Sequence, residues 1–323
     1  MMMSKSSFLQ PVGFRAFLQK IDKSHWIAVF QALFVTLLWS SSWVIIKFGL
    51  KELPPLIFAG LRYSIASLIL LGAVLLIPEQ RMALKSLSPT WWRRLVGYGI
   101  LFFTFTQGTQ FIGLALLPAI TVSLLLNFAT IFVVIFAILF LQEIPNKKQL
   151  FFIGLALVGV YIYFYPTNLS EYSNLGILIV LIGVITNALS SILGRTINKT
   201  QELSPLLVTT VSMSIGSLFL LGSGFIVDGF PPLTCLGLFY VLWLSIFNTA
   251  IAFTLWNKAM QRLRAIEITI INSTMLPQIT VLALVFLGEL PTLFDWIGIF
   301  LIFISALFVQ LFHMQIKTRE HLK

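Results

Sequence analysis

Ten apolar stretches follow one another along the chain, at roughly 26–48, 55–77, 95–116, 118–141, 149–166, 174–195, 205–227, 235–257, 266–288 and 293–313. Each is close to the length of about 20 residues that a helix needs to cross the hydrocarbon layer of a bilayer. Lipid offers backbone amides no partner, so stretches of this kind span as helices that satisfy their own hydrogen bonds. The third is the least clean, because residues 104–110 read Thr-Phe-Thr-Gln-Gly-Thr-Gln. The third and fourth are parted only by Pro118 and its neighbours, which predicts a tight hairpin.

Charge orients the spans. With the N-terminus in the cytoplasm, the inner segments hold Lys5, Arg15, Lys20, Lys23, Arg81, Lys85, Arg93, Arg94, Lys147, Lys148, Arg195, Lys199, Lys258, Arg262, Arg264, Lys317, Arg319 and Lys323, and the outer ones only Lys47 and Lys51. Basic residues accumulate on cytoplasmic loops, and losing any one span would invert every later loop. Ten spans with both termini inside, in a bacterial-type plasma membrane, is the resulting expectation. The first 25 residues read as a cytoplasmic basic segment, not a signal peptide, since Lys5, Arg15, Lys20 and Lys23 interrupt any apolar run. Phe8, Phe14, Phe17, Leu18 and Ile21 suit either an amphipathic surface stretch or a basic tail.

Composition agrees. The chain is 58% hydrophobic and 10% charged, with a mean hydropathy of +0.98, against roughly 25% charged residues in a soluble domain. The formal net charge of +10 is accounted for by the inner loops, so no nucleic-acid partner is inferred. A single cysteine, Cys235, allows no disulfide framework, and the three histidines lie at or beyond span ends. No metal or cofactor is expected.

The chain also repeats itself. Leu53-Pro-Pro-Leu-Ile-Phe-Ala-Gly-Leu-Arg-Tyr-Ser-Ile-Ala-Ser67 aligns without gaps to Leu203-Ser-Pro-Leu-Leu-Val-Thr-Thr-Val-Ser-Met-Ser-Ile-Gly-Ser217, and Phe140-Leu-Gln-Glu-Ile-Pro145 to Phe286-Leu-Gly-Glu-Leu-Pro291. The second span thus matches the seventh, and the fourth the ninth. Five spans per unit is an odd number, so the second copy is upside down. The predicted fold is an all-α integral membrane protein of ten transmembrane helices in two inverted five-helix repeats, 26–166 and 174–313, with a cytoplasmic tail at 314–323. Inverted repeats characterise carriers that bind substrate near the membrane midplane.

At these residues the chain resembles the drug/metabolite transporter superfamily, and within it the EamA-type ten-helix carriers. The resemblance rests on Leu38-Trp-Ser-Ser-Ser-Trp43, on Pro54-Pro55 followed by Leu61-Arg62-Tyr63, on Phe140-Leu-Gln-Glu143, and on Pro277 with Phe286-Leu-Gly-Glu289 in the second half. It covers nearly everything from 26 to 313. It implies a five-plus-five bundle around a central cavity and export or exchange of small metabolites: amino acids, purines, sugars, nucleotide sugars or organic cations. One departure is Ile131, where the family often carries a proline matching Pro277.

Candidate substrate-binding residues follow from cost. Amides inside lipid need partners, so Gln110, Asn127, Asn187, Asn248, Asn272 and Gln278 should face the bundle axis, in a cavity lined by the first, third, fourth, sixth, eighth and ninth spans. Trp39, with Ser40 beside it, offers a stacking face, and Asn187 holds its place in the other repeat. Arg62 sits two turns inside the second span, where a charge costs roughly 2.5–3.5 kcal/mol. It is either a counter-charge for an anionic group of the substrate, or a structural residue that snorkels to the headgroups or clamps carbonyls of the first span. Its repeat partner is Ser212. Glu143, Glu289 and Pro277 read as gating or structural. No Asp, Glu or His lies at mid-span, which gives no support to proton coupling through a buried carboxylate.

A secondary transporter, exporter or facilitator, of small polar or zwitterionic metabolites such as amino acids is the leading expectation; its partners are a small-molecule metabolite and the bilayer, and a homodimer is compatible with it. A lipid-linked sugar or lipid flippase of the same fold, or a nucleotide or sugar carrier, is the alternative. An integral-membrane enzyme would need clustered His, Asp or Glu near one interface, which the chain lacks.

Overall fold

A computed structural model of the chain describes residues 23–141, 147–165, 173–260, 262–263 and 271–320. The basic N-terminal segment up to residue 22, Glu143 and the 166–172 linker lie outside the described residues.

The helices are α1 (Lys23–Gly49), α2 (Pro55–Leu76), α3 (Pro78–Lys85), α4 (Pro89–Leu116), α5 in two pieces (Ala119–Asn127 and Ala129–Leu141), α6 (Lys147–Phe164), α7 (Asn174–Lys199), α8 (Pro205–Asp228), α9 in three pieces (Cys235–Ser245, Ile246–Ile251 and Ala252–Met260), α10 (Met275–Leu287) and α11 (Leu293–Glu320). Seven of them are long and apolar enough to cross a membrane, and α6, α10 and α11 carry the shorter apolar stretches Leu150–Tyr163, Ile271–Leu287 and Leu293–Ser305. Apolar helix is therefore described at each of the ten expected places, and no strand occurs among the described residues. The short α3 is an addition. Pro78 at its first position, Glu79 in its first turn and Lys85 in its last all favour a helix there, in a segment the apolar pattern leaves as a loop. Helix α4 starts six residues before the expected 95, because Ser88 caps it by accepting from the Trp91 amide and Pro89 follows.

The packing has the symmetry of the sequence repeat. Helix α2 packs on its own counterpart α8, α6 on α11, and α5 on α10. The α1–α10 pair is mirrored by α7–α5, α1–α9 by α7–α4, and α2–α9 by α8–α4. Small residues let the self-paired helices touch backbone to backbone, as membrane helix contacts require. A Cβ on Gly298 would lie 2.7 Å from the Gly159 carbonyl oxygen, and one on Gly60 2.6 Å from Leu221 Cα.

Symmetry extends to the irregular turns. Ile100–Thr106 in α4 and Ile246–Ile251 in α9 are both wound as π-helix. In each, a threonine hydroxyl bonds a carbonyl five residues back: Thr106 to Leu101 at 3.0 Å, Thr249 to Leu244 at 2.9 Å. Polar Thr-Phe-Thr-Gln-Gly-Thr-Gln was the visible sign of the first. The fourth and ninth spans are also broken at equivalent places, Phe128 and Thr274, where ψ is −18° and −13° and the residue's own amide bonds i→i−3, to Leu125 O and Ile271 O. The break in α5 therefore forms without a proline. Pro277 falls within the first turn of α10, where its missing N–H costs little.

Candidate functional site

Midway along the bundle lies a cavity of about 620 Å³, within the range of small-molecule sites. Its wall draws on eight of the spans: Trp39, Ser42 and Trp43 of α1; Arg62 and Tyr63 of α2; Phe102, Thr106, Gln107 and Gln110 of α4; Ser123 and Asn127 of α5; Asn187 and Ser191 of α7; Asn248 and Phe253 of α9; Asn272 and Ser273 just before α10; and Phe303 of α11. The six expected spans all contribute, joined by the second and the tenth.

Arg62 is 5% exposed. It neither snorkels nor reaches a carbonyl of α1. Its Nε donates to Thr249 Oγ1 at 3.1 Å, its own carbonyl accepts from Ser245 Oγ at 2.9 Å, and its guanidinium stands over the rings of Tyr63 at 5.1 Å and Phe111 at 5.9 Å. Tyr63 in turn donates to Gln107 Oε1 at 2.6 Å. Tyr63 and Gln107 line the cavity too, although the cost of burying polar groups does not by itself place them there. Tyr63 sits beside the arginine in sequence, which was the available signal.

The amides divide into free and committed groups. Gln110, Asn187 and Asn272 line the cavity with no side-chain hydrogen bond to the described residues, and Asn127 donates to Ser123 O at 2.8 Å while its Oδ1 stays unpartnered. Asn248, though at the wall, is fully buried: its Nδ2 bonds Leu38 O and, at 3.2 Å, Ser41 Oγ, pinning α9 to α1. The equivalent α4–α7 pair is tied by Thr106 Oγ1 to Thr186 Oγ1 at 3.1 Å.

Ser40 and Gln278 do not reach the cavity. Ser40 is fully buried and donates to Gln278 Oε1 at 3.0 Å, while Gln278 Nε2 donates to Thr274 Oγ1 at 3.0 Å and Thr36 Oγ1 at 3.3 Å. Each satisfies the other between α1 and α10, so neither is left for a solute. Trp39 remains at the wall, its ring against Phe253 at 5.5 Å and Trp256 at 5.0 Å. Trp43 is 7% exposed and packs in the core.

The cavity is sealed towards the α1–α2 turn. Ile46, Leu53, Leu117, Ala119 and Ile120 pack there at 4% exposure or less. A polar clasp overlies them. Glu289, just past the end of α10, takes the amides of Ala119 at 2.7 Å and Ile120 at 2.9 Å, capping α5, and Lys47 Nζ donates to Leu117 O at 2.7 Å, capping α4. A carboxylate at a helix N-terminus and an ammonium at a C-terminus both match the helix dipoles. At the other end of the cavity the wall includes Asn272, which is exposed. Among the described residues no group of His, Cys, Asp or Glu is arranged to hold a metal.

Comparison with known proteins agrees with this architecture. A family profile described as "EamA-like transporter family" matches residues 26–165 and again 174–311. An "Uncharacterized transporter" of Bacillus subtilis (strain 168) is 28% identical over 281 residues, covering 86% of this chain and 89% of its own length. A "Probable amino-acid metabolite efflux pump" of Salmonella typhimurium is 25% identical over 305 residues, 89% of this chain and 96% of its own. A protein of the same description from Escherichia coli (strain K12) is 25% identical over 244 residues, 72% of this chain and 77% of its own. A solved structure described only as "Crystal structure of protein" superposes with a TM-score of 0.61 at 17% identity, over 92% of this chain and 99% of that one, a likeness of fold.

Proposed function

Because the chain belongs to the EamA-like transporter family, and is an integral membrane transporter and not an enzyme, we propose that it is a secondary transporter, working as an exporter or facilitator, of small polar or zwitterionic metabolites such as amino acids. The observation that carries this reading is the cavity midway along the bundle, whose wall combines unpartnered amides, aromatic faces and a single cation. Neutral amides read hydroxyl, amine and carbonyl groups without fixing a net charge, and one cation balances one anionic group. A multiply charged phosphate would favour several Lys or Arg, which weighs against the nucleotide alternative. Two relatives described as probable amino-acid metabolite efflux pumps point the same way.

Trp39, Arg62, Gln110, Asn127, Asn187 and Asn272 are the proposed substrate-contacting residues, with Asn248 positioning α9. The repeat units are taken as 26–166 and 174–313. The excess of Lys and Arg on one side of the bundle supports cytoplasmic termini and a plasma-membrane setting. In that orientation the sealed α1–α2-turn end is external and the cavity is loaded from the cytoplasm, and alternating access requires the clasp at Glu289 and Lys47 to open. The test is counterflow: purified protein in liposomes preloaded with each of a panel of amino acids, purines, sugars and lipid-linked sugars should accumulate labelled amino acid. Movement of the lipid-linked sugar with no uptake of any soluble solute would replace this reading with the flippase.

A further inference from the structure

We propose that Arg62 is the docking point for a free carboxylate, so that the transported class is small solutes carrying one carboxylate, amino acids among them. The proposal rests on the reading of the central cavity as the transport site.

The direction of each hydrogen bond is forced. Thr249 gives its hydroxyl proton to Leu244 O at 2.9 Å, so it can only accept from Arg62 Nε. That bond and the flanking rings of Tyr63 and Phe111 fix the guanidinium plane. The two terminal nitrogens have no hydrogen-bond partner among the described residues. Nor are they sealed: among the described residues the buried polar side-chain atoms without a partner are Ser64 Oγ, Ser212 Oγ and Asn248 Oδ1, with no arginine nitrogen among them. A planar donor fork is thus held by one edge, with the rest of its donors turned to the cavity. A carboxylate is the group whose two oxygens match such a fork.

Charge narrows the class. Among the described residues no Asp or Glu lines the cavity, and Arg62 is the one cation at its wall. An occupant bringing one negative charge neutralises the site. A purely cationic amine adds a second positive charge, and a phosphate dianion finds one partner where it wants several. The ammonium of a zwitterion meets amide oxygens without donors, on Asn127 and Asn187.

Purified full-length protein decides this in two arms. In detergent, thermal unfolding is followed against benzoate and benzamide, which differ only in the charged group. Benzoate should stabilise the wild type and benzamide should not. In R62Q the apparent affinity for benzoate should fall at least about tenfold, equivalent to 1.4 kcal/mol, with partial recovery in R62K. T249V keeps the cation and frees its orientation, so benzoate should weaken several-fold, which keeps the test open if R62Q does not fold. Equal shifts with benzoate and benzamide, or unchanged benzoate affinity in R62Q or T249V, overturn the proposal. In liposomes, phenylalanine should exchange and phenylalanine amide should not. Equal exchange of the two overturns the carboxylate anchor and leaves the transport function standing. A benzoate response that depends on Arg62, with no phenylalanine exchange, upholds the anchor and removes the amino-acid reading.

Discussion

Removing the Glu289 carboxylate should loosen one end of the transporter without dismantling it. The side chain accepts two backbone amides at the first turn of α5, at 2.7 and 2.9 Å, and its charge also acts on Lys47, which caps α4 next door. A hydrogen bond to a charged group contributes about 1.5–3 kcal/mol, and an N-terminal cap about 0.5–2 kcal/mol on removal. Glu289 is partly exposed, so the lower part of that range applies. About 2 kcal/mol for Glu289→Ala is the result, with roughly half of it for Glu289→Gln, which keeps one oxygen acceptor and loses the charge. Where α5 and α10 part at this end in the opposite access state, 2 kcal/mol shifts the two-state population roughly 30-fold. The assay uses Cys235→Ser, which removes the single native thiol, with Ser123→Cys placed in the cavity wall. A membrane-impermeant maleimide supplied on the α1–α2-turn side should label Cys at 123 at least about tenfold faster in the Glu289→Ala background, with Glu289→Gln intermediate. Unchanged labelling together with a lower unfolding temperature would show that the carboxylate is only a helix cap. Unchanged labelling and unchanged stability would refute the energetics as well.

Asn187→Ala should leave the unfolding free energy within about 0.5 kcal/mol, because the side chain has no hydrogen bond to lose, yet cut amino-acid counterflow; Trp39→Ala should do the same to transport with the protein still monodisperse on size exclusion. Gly60→Ala should cost about 1–3 kcal/mol in thermal unfolding, since the new Cβ would sit 2.6 Å from Leu221 Cα, whereas Gly72→Ala, with nothing within 4 Å, should be nearly silent. In intact cells the exposed native Cys235, at the start of α9, should react with an impermeant maleimide from outside, and Lys147→Cys in a Cys235→Ser background only after the cells are opened. Both thiols reacting from one side would remove the ten-span orientation.

The spans were legible because lipid imposes a length and a composition on them, and the doubling was legible because Leu53–Ser67 and Leu203–Ser217 still share enough residues to align. What the apolar pattern does not carry is where a polar side chain spends its hydrogen bonds. Gln278 was expected in the cavity for the same reason as Gln110 and Asn187, that an amide in lipid needs a partner, and Ser40 as the neighbour of Trp39. They found each other instead, and the choice depends on the register of α1 against α10. Arg62 posed the same problem with higher stakes. Burial cost says that something must face it, but only the packing of α9 across α2 identifies that something as a threonine in a π-turn. The break in α5 shows the converse. A proline is a readable sign of a broken helix, yet Phe128 is turned much like Thr274 with Ile131 where the proline was expected.

A scaffold that is symmetric to the level of its π-turns carries a site that is not. Thr106 and Thr249 each make an i→i−5 bond in their π-turn, but Thr106 meets the Thr186 hydroxyl and Thr249 meets a guanidinium. Ser212, in the place of Arg62, keeps a buried hydroxyl with no partner. Asn187, in the place of Trp39, offers an amide where the first repeat offers an indole. The division suits the proposed alternating access. Two access states need comparable free energies, and near-equivalent packing of the two repeats supplies that. A solute held by one charged end needs a single cation, and a second arginine at the buried position 212 would add a like charge inside the same bundle, where low dielectric makes repulsion costly. Divergence at Arg62 and Trp39 sets the chemistry of the wall, while the paired helix contacts and the two π-turns recur in both repeats.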